Sequence, residues 1–486
     1  MEPGPLEAWD EPPTSHGFKG GDLYGIVEHL DHIADLGANA LYLNPVFESA
    51  SNHRYHTYDY FTVDPLLGGD AALRELIDAC HGRGMRVILD GVFNHASRGF
   101  WPFHHVLEAG RASPYRDWFF FHHDDLEAGR PIRAYPIEAP SPDITADPGG
   151  GTGRAGSLQT LGYQAWWDLP ALPKLNTGNP HLRDYLLSVG EHWIRFGADG
   201  WRLDVAEEVP DEFWRAFRGR VKGANPDAYI VAEIWHERPD ALTGDRFDAL
   251  MDYPLMGAIL SFTGAGRLDP RVVGQHRTIA GLVRDDDAPA FAARLDRALT
   301  IYDPAVTAVQ LHLLGSHDTP RFLSMVTGDA SALRLATLLQ MTLPGAPSIY
   351  YGDEIGLSGE LDPANRAAFP WQYPEDWDHD LLADITAATR LRRDEPVLRH
   401  GATRIVAAEG RAIAYLRQAD RAAALVVVNA ADESATVELH VGELDGRTLV
   451  PARWTRLEPS QAPLTVRDGR ATLTLAPRDG TVFVAA

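Results

Sequence analysis

The chain has a single cysteine, Cys80, among 486 residues. That excludes an intrachain disulfide and a cysteine-built zinc cluster, and it fits a reducing compartment. Positive charge is also scarce. Forty-four Lys and Arg stand against 68 Asp and Glu, a formal charge of −24, so a nucleic acid or an anionic membrane would be repelled over most of the surface. A neutral substrate fits better. No apolar run reaches the length that spans a bilayer, and the opening MEPGPLEAWDEPP is acidic and proline-rich, without the basic and apolar segments of a secretory signal. The expectation is a cytoplasmic protein with no membrane or nucleic-acid partner. Internal repeats at solenoid or propeller spacing are absent too.

What is present is enough apolar sequence, 45% of residues, for one large core and an appendage or two. From about Gly21 to Leu398 short apolar runs alternate with longer amphipathic ones, the pattern of βα units around a parallel sheet. The runs Ala40–Asn44, Arg86–Asp90, Gly200–Asp204, Tyr229–Glu233, Phe247–Asp252, Gln310–Leu314 and Ser348–Tyr351 read as buried strands, most ending in polar or charged residues. Catalytic groups at the carboxyl ends of successive strands are what an α/β, TIM-type (β/α)8 barrel provides. Between His95 and Pro173 the alternation stops in a segment rich in Pro, Gly, His and aromatics, including the loop-like Pro148–Gly156. It is expected to be a subdomain inserted after the third strand. After about His400, runs such as Ala423–Val428 and Ala471–Leu475 separated by turn residues predict an antiparallel β-sandwich. The expected division is a barrel over 1–94 and 174–398, an inserted subdomain over 95–173, and a C-terminal β-domain over 399–486.

Four strand ends carry the chemistry: DGVFNH (Asp90–His95), GWRLDVAEE (Gly200–Glu208), VAEIWHE (Val231–Glu237) and LLGSHD (Leu313–Asp318). In this order they resemble the four signature regions of the α-amylase family of glycoside hydrolases. NHRYHTYDYF (Asn52–Phe61), LPKLN (Leu172–Asn176) and IYYGDEIG (Ile349–Gly356) extend the resemblance over nearly the whole chain. LPKLN and EIWHE point to its neopullulanase, cyclomaltodextrinase and maltogenic amylase branch. Breaking a glycosidic bond needs a proton for the leaving oxygen and a group that stabilises positive charge at the anomeric carbon, which two carboxyls of different pKa supply.

The resemblance implies Asp204 as nucleophile, Glu233 as acid and then base, and Asp318 as the carboxylate that holds the distorted sugar. It also implies that Tyr55, His95 and His317 bind the glucose to be transferred, and that Trp235 and His236 stand on the leaving-group side. Asp362 and Arg366 would contact the next sugar toward the non-reducing end. Arg202, two residues before Asp204 and on the same side of a strand, can keep Asp204 ionised. Trp166 and Trp167 read either as sugar platforms or as packing between the inserted subdomain and the barrel. His122 and His123 read as a loop pair.

The Asp- and Asn-rich loop that binds calcium in this branch has no counterpart in the sequence, so no obligatory cofactor or metal is expected, calcium being the one ion the resemblance admits. The implied function is retaining hydrolysis of α-1,4 and also α-1,6 bonds in starch, maltodextrins, cyclodextrins or pullulan, with transglycosylation. The alternatives are a 4-α-glucanotransferase using the same carboxylates and an inactive family member serving as a binding or scaffold protein. With no room for an amino-terminal β-domain before Gly21, an open cleft and a mainly monomeric protein are expected. Met1–Gly20 has four prolines and no apolar run, so the barrel is expected to be one strand short, with the gap between its second and eighth strands open or irregularly covered.

Overall fold

The computed structural model describes residues 6–136 and 156–485. All of Pro148–Gly156 except Gly156 lies outside the described residues, as do residues 1–5. The chain divides into two compact units, the first comprising Met1–Ala34, Ala38–Ile234 and Asp240–Leu250, the second Asp35–Gly37, Trp235–Pro239 and Met251–Ala486.

The first unit is built on a parallel sheet. Its strands β1 (Ala40–Tyr42), β4 (Arg86–Gly91), β5 (Gly200–Leu203), β6 (Tyr229–Ala232) and β7 (Ala249–Leu250) lie in that spatial order. An antiparallel hairpin, β2 (Phe47–Ser49) with β3 (Thr57–Val63), follows β1. Helices cover both faces of a parallel sheet, so its central strands need apolar residues at consecutive positions. VILDG of β4 and GWRL of β5 are buried throughout. The helix Pro180–Phe196, which precedes β5, starts where Asn179 accepts from His181 and Leu182 N–H and ends at Gly197, φ 123°. Its buried Leu182, Leu186, Val189 and Trp193 recur every three or four residues. Gly190 on that face lets Phe217 of the next helix approach, since a Cβ there would lie 2.4 Å from the Phe217 ring.

Residues 6–20 contribute no strand. They form a loop closed by Glu7 N–H donating to Phe18 O at 2.9 Å, with Lys19 Nζ donating to Ala8 O at 2.7 Å and Glu11 O at 2.5 Å. Asn52 Nδ2 donates to Gly17 O at 2.9 Å, which anchors the loop to the segment carrying Tyr55. β1 accordingly stands at the edge of its sheet, with β4 as its partner and Ala40 exposed.

The second unit holds the parallel pair β8 (Leu311–Leu313) and β9 (Ala346–Ser348). β9 begins two residues before the expected Ser348–Tyr351, because pairing with β8 sets the register and Pro347 is opposite His312. A proline gives no ladder donor and is tolerated at an edge. The pattern IYY, strand-like by propensity, instead leads into the turn Asp353–Ile355. The helix Tyr253–Thr263 is buried over nearly its whole surface, whereas His379–Asp394 buries one side.

Two antiparallel sheets follow. The larger contains β10 (Ala402–Glu409), β11 (Ala412–Ala419), β12 (Ala422–Asn429), β14 (Thr448–Ala452), β15 (Leu464–Thr465) and β17 (Asp479–Ala485), and the smaller pairs β13 (Ala435–His440) with β16 (Arg470–Leu475). One apolar cluster draws Leu416, Leu425, Leu449 and Phe483 from the first and Val437, Leu439, Leu473 and Leu475 from the second. Among the described residues no helix is long and apolar enough to cross a membrane.

Candidate active site

Arg202 is fully buried in the middle of β5. Its register partner on β4 is Asp90, and Nη1 donates to both Asp90 oxygens at 3.0 and 3.1 Å and to Asp204 Oδ1 at 2.9 Å. Nη2 stands 3.1 Å from Glu233 Oε2. A buried guanidinium without acids would be costly. Here three carboxylates surround it. Burial alone would lower the Arg202 pKa, but Asp90 and then Glu233 more than offset it, so the value stands well above the ordinary one.

The backbone places the two acids that project from strand ends. Asp204 N–H donates to Gly91 O at 3.0 Å, and Glu233 N–H donates to Leu203 O at 3.0 Å, so each acid is the first residue past a paired strand. Val205 then turns sharply, with φ 45°, and its N–H donates to Glu233 Oε2 at 2.9 Å. A left-handed backbone at a β-branched residue costs about 1–3 kcal/mol. That strain sits between the two carboxylates.

Asp90 Oδ2 also accepts from Tyr55 Oη at 2.9 Å and Tyr42 Oη at 3.0 Å. Asp90 and Tyr42 were not among the residues singled out as site residues from sequence. The available signal was the position of Asp90 at a strand end, directly preceding GVFNH. His95 is 1% exposed, and burial, with His56 and Lys174 nearby, pushes its imidazole down to about 3. Its ring stacks on Trp166, centroids 4.8 Å apart and planes 11° apart. Trp166 stacks in turn on Trp167 at 4.7 Å. The Trp166 Nε1–H donates to Glu208 Oε1 at 3.2 Å, and Lys174 Nζ to Glu208 Oε2 at 2.9 Å.

In the second unit, His317 Nε2 lies 3.0 Å from Asp318 Oδ2, and Arg366 Nη2 lies 3.7 Å from Asp318 Oδ1. Arg366 Nε also donates to His317 O at 3.1 Å and pairs with Asp362 at 3.6 Å. Asn365 Nδ2 fixes the same turn by donating to His317 O and Thr319 O at 2.8 and 2.9 Å. Asp318, His317, Asp362 and Arg366 are thus gathered around one turn. Trp235 stacks on Tyr253 at 3.7 Å and on His276 at 4.8 Å. The Tyr253 ring, 3.7 Å from the indole, occupies one of its faces. His236 beside it is exposed.

His122 Nδ1 lies 3.2 Å from Asp125 Oδ2 in a loop-to-helix turn. Among the described residues no group of three or more His, Cys, Asp or Glu side chains is arranged to hold a metal ion.

Residues 10–403 match the model of the alpha amylase catalytic domain. A cyclomaltodextrinase of a Bacillus species is 41% identical over 444 residues, 90% of this chain and 71% of that protein. Neopullulanase 2 of Thermoactinomyces vulgaris is 37% identical over 486 residues, 99% of this chain and 74% of that protein. The crystal structure of Ttha1563 from Thermus thermophilus superposes with a TM-score of 0.87 at 43% identity, covering 100% of this chain and 94% of that one. The four strand-end motifs, the parallel strands that carry them and this similarity along the chain agree: the protein belongs to the α-amylase family of glycoside hydrolases.

Proposed function

We propose that the protein hydrolyses α-1,4-glucosidic bonds, and α-1,6 bonds as well, in maltodextrins, cyclodextrins, starch and pullulan, with retention of configuration and with some transfer to sugar acceptors. The observation that carries the reading is the buried Arg202 reaching Asp204 and Glu233 together, which keeps two carboxyls side by side at adjacent strand ends. Asp204 attacks the anomeric carbon while Glu233 gives its proton to the departing glycosidic oxygen. The C–O bond to the leaving sugar breaks as the ester to Asp204 forms. Glu233, now a carboxylate, takes a proton from water, whose oxygen displaces Asp204 and releases the sugar in its original configuration.

Asp318 holds hydroxyls of the distorted ring, with His95, His317 and Tyr55 around the same glucose. Arg202 lowers the cost of an ionised Asp204. Trp235 and His236 stand on the leaving-group side, and Asp362 and Arg366 meet the next sugar. In this reading residues 1–94 and 174–398 form the catalytic barrel, 95–173 the inserted subdomain and 399–486 the C-terminal β-domain. The names of the relatives support cyclodextrin and pullulan as substrates. The protein acts in the cytoplasm as a monomer, which size-exclusion chromatography checks for the oligomeric state.

The test is product analysis on maltotriose, cyclodextrin, pullulan and soluble starch for the parent, Asp204→Asn and Glu233→Gln. Both variants are expected to lose about 10⁴-fold or more in kcat while folding normally. A variant that keeps a tenth of parental turnover contradicts the assignment. Disproportionation of maltotriose with no net increase in reducing ends favours a glucanotransferase, and binding of these glucans without turnover by the parent favours a scaffold protein.

A further inference from the structure

The parallel strands do not account for a strained turn in the inserted segment. Trp167 and Asp168 are consecutive non-glycine residues in the left-handed region, with φ 54° and 57°. Such a pair persists where its surroundings leave no other choice. Asp168 Oδ1 accepts from Ser157 N–H at 2.8 Å, and Trp166 N–H donates to Leu172 O at 2.8 Å. The turn therefore holds the Trp166 indole on three sides: by its own backbone, by the stacked Trp167 ring, and by Glu208, which takes the indole N–H while ion-paired to Lys174. The face of that indole lies on His95.

We propose that Trp166 is a positioning residue for His95: the anchored indole fixes the plane in which the imidazole presents Nε2 to a sugar hydroxyl. The inference rests on the reading of His95 as a sugar-binding group. His95 Nδ1 lies 3.3 Å from Asn94 Nδ2, and its buried Nε2 has no hydrogen-bond partner among the described residues. With the amide donating to Nδ1, the proton of the neutral ring sits on Nε2. The contacts along the ring edge, to Asn94 and to the Tyr55 backbone, leave the plane of the ring able to tilt about them. A stacked face removes this freedom, and a tilt of the plane would swing Nε2 away from its target. The orientation of a small hydrogen-bond donor is where a displacement of about 1 Å costs as much as 100-fold in rate.

A double-mutant cycle tests this, read as kcat/KM on maltotriose with melting temperatures recorded for every variant. Trp166→Ala is expected to lower kcat/KM about 10- to 100-fold in the parent and less than about threefold in the His95→Ala background, because it then has nothing left to position. Trp166→Phe, which keeps an aromatic face, is expected to recover most of the loss. If the alanine variant fails to fold, Trp166→Leu carries the cycle with the same two outcomes. An equal loss in both backgrounds overturns the inference and leaves the proposed function standing. A His95→Ala variant with parental kcat/KM overturns the reading of His95, and this inference with it.

Discussion

Asp90 takes part in none of the bond-making steps, yet it accepts two hydrogen bonds from Arg202 and one each from Tyr42 and Tyr55. Replacing it with asparagine removes a buried negative charge from the guanidinium and a strong acceptor from both hydroxyls. Removing one partner from a buried ion pair costs about 3–5 kcal/mol. Asp204 and Glu233 remain beside Arg202, so the lower end applies. Asp90→Asn is expected to lose about 3 kcal/mol in urea unfolding and to lower kcat/KM about 100-fold, with part of the loss in KM through Tyr55. Unchanged stability would mean that the pairs with Asp204 and Glu233 suffice to carry Arg202. Glu207 is exposed in the turn after Asp204. An extra carboxylate changes how an acceptor sugar is met, so Glu207→Asn should shift the ratio of hydrolysis to transfer on maltotriose. Identical product ratios would make the position neutral. Sequence motifs placed Asp204 and Arg202 on one strand, but the meeting of Arg202, Asp90 and Tyr42 depends on the pairing of three strands, which no local pattern encodes.

Among elements, the helix Ala330–Thr342 ends in an unusual way. Arg392 donates to Met341 O and Leu343 O at 2.8 Å each and to Gly345 O, while Arg417 donates to Thr342 O, and to Leu398 O at 2.7 Å. Two buried guanidiniums thus satisfy carbonyls that the last turn of a helix leaves unpaired, where the helix dipole also favours cations. Burial, and for Arg392 the neighbouring Arg417, lowers each to about 10. Arg392→Met would strand several carbonyls at about 1–3 kcal/mol each, so a loss of about 3 kcal/mol or more in urea unfolding is expected, with little change in KM. A neutral result would require water to replace the guanidinium. Neither arginine was legible as a cap, since one lies in a distant helix and the other on β11. Strands read from continuous apolar runs were found where expected in β4, β5 and β6. β9 was displaced because register outweighs the propensity of Ile349–Tyr351. That residues 6–20 hold no strand was legible, because this stretch has no apolar run and its prolines leave no ladder to form.

At the scale of the whole molecule, buried titratable groups set the pH response. Burial, with Arg392 and Arg417 nearby, lowers His312 to about 3, and His95 is likewise lowered to about 3. The unfolded chain, with histidines near 6.5, binds more protons throughout the window from 6.5 to about 3, so these two groups make stability fall on acidification. Burial instead raises Asp252 and Asp353 to about 6. For them the folded chain binds more protons between about 3.8 and 6, and stability rises on acidification. Burial, with Arg98 nearby, also lowers His56 to about 4, so three histidines oppose two aspartates between about pH 6 and 4 and prevail. The melting temperature is expected to fall from about pH 6.5 to about pH 4, and less steeply in His312→Asn. A parent protein more stable at the acid end of that window would reverse this balance. The central claim is that Asp204 forms the covalent intermediate, and it is tested most directly by trapping. A 5-fluoro-α-glucosyl fluoride, whose fluorine slows the second displacement, is incubated with the protein, and the adduct is located by mass spectrometry of its peptides. An ester on Asp204 is the predicted result, and an adduct on another carboxylate, or turnover of the reagent with inversion, would contradict it.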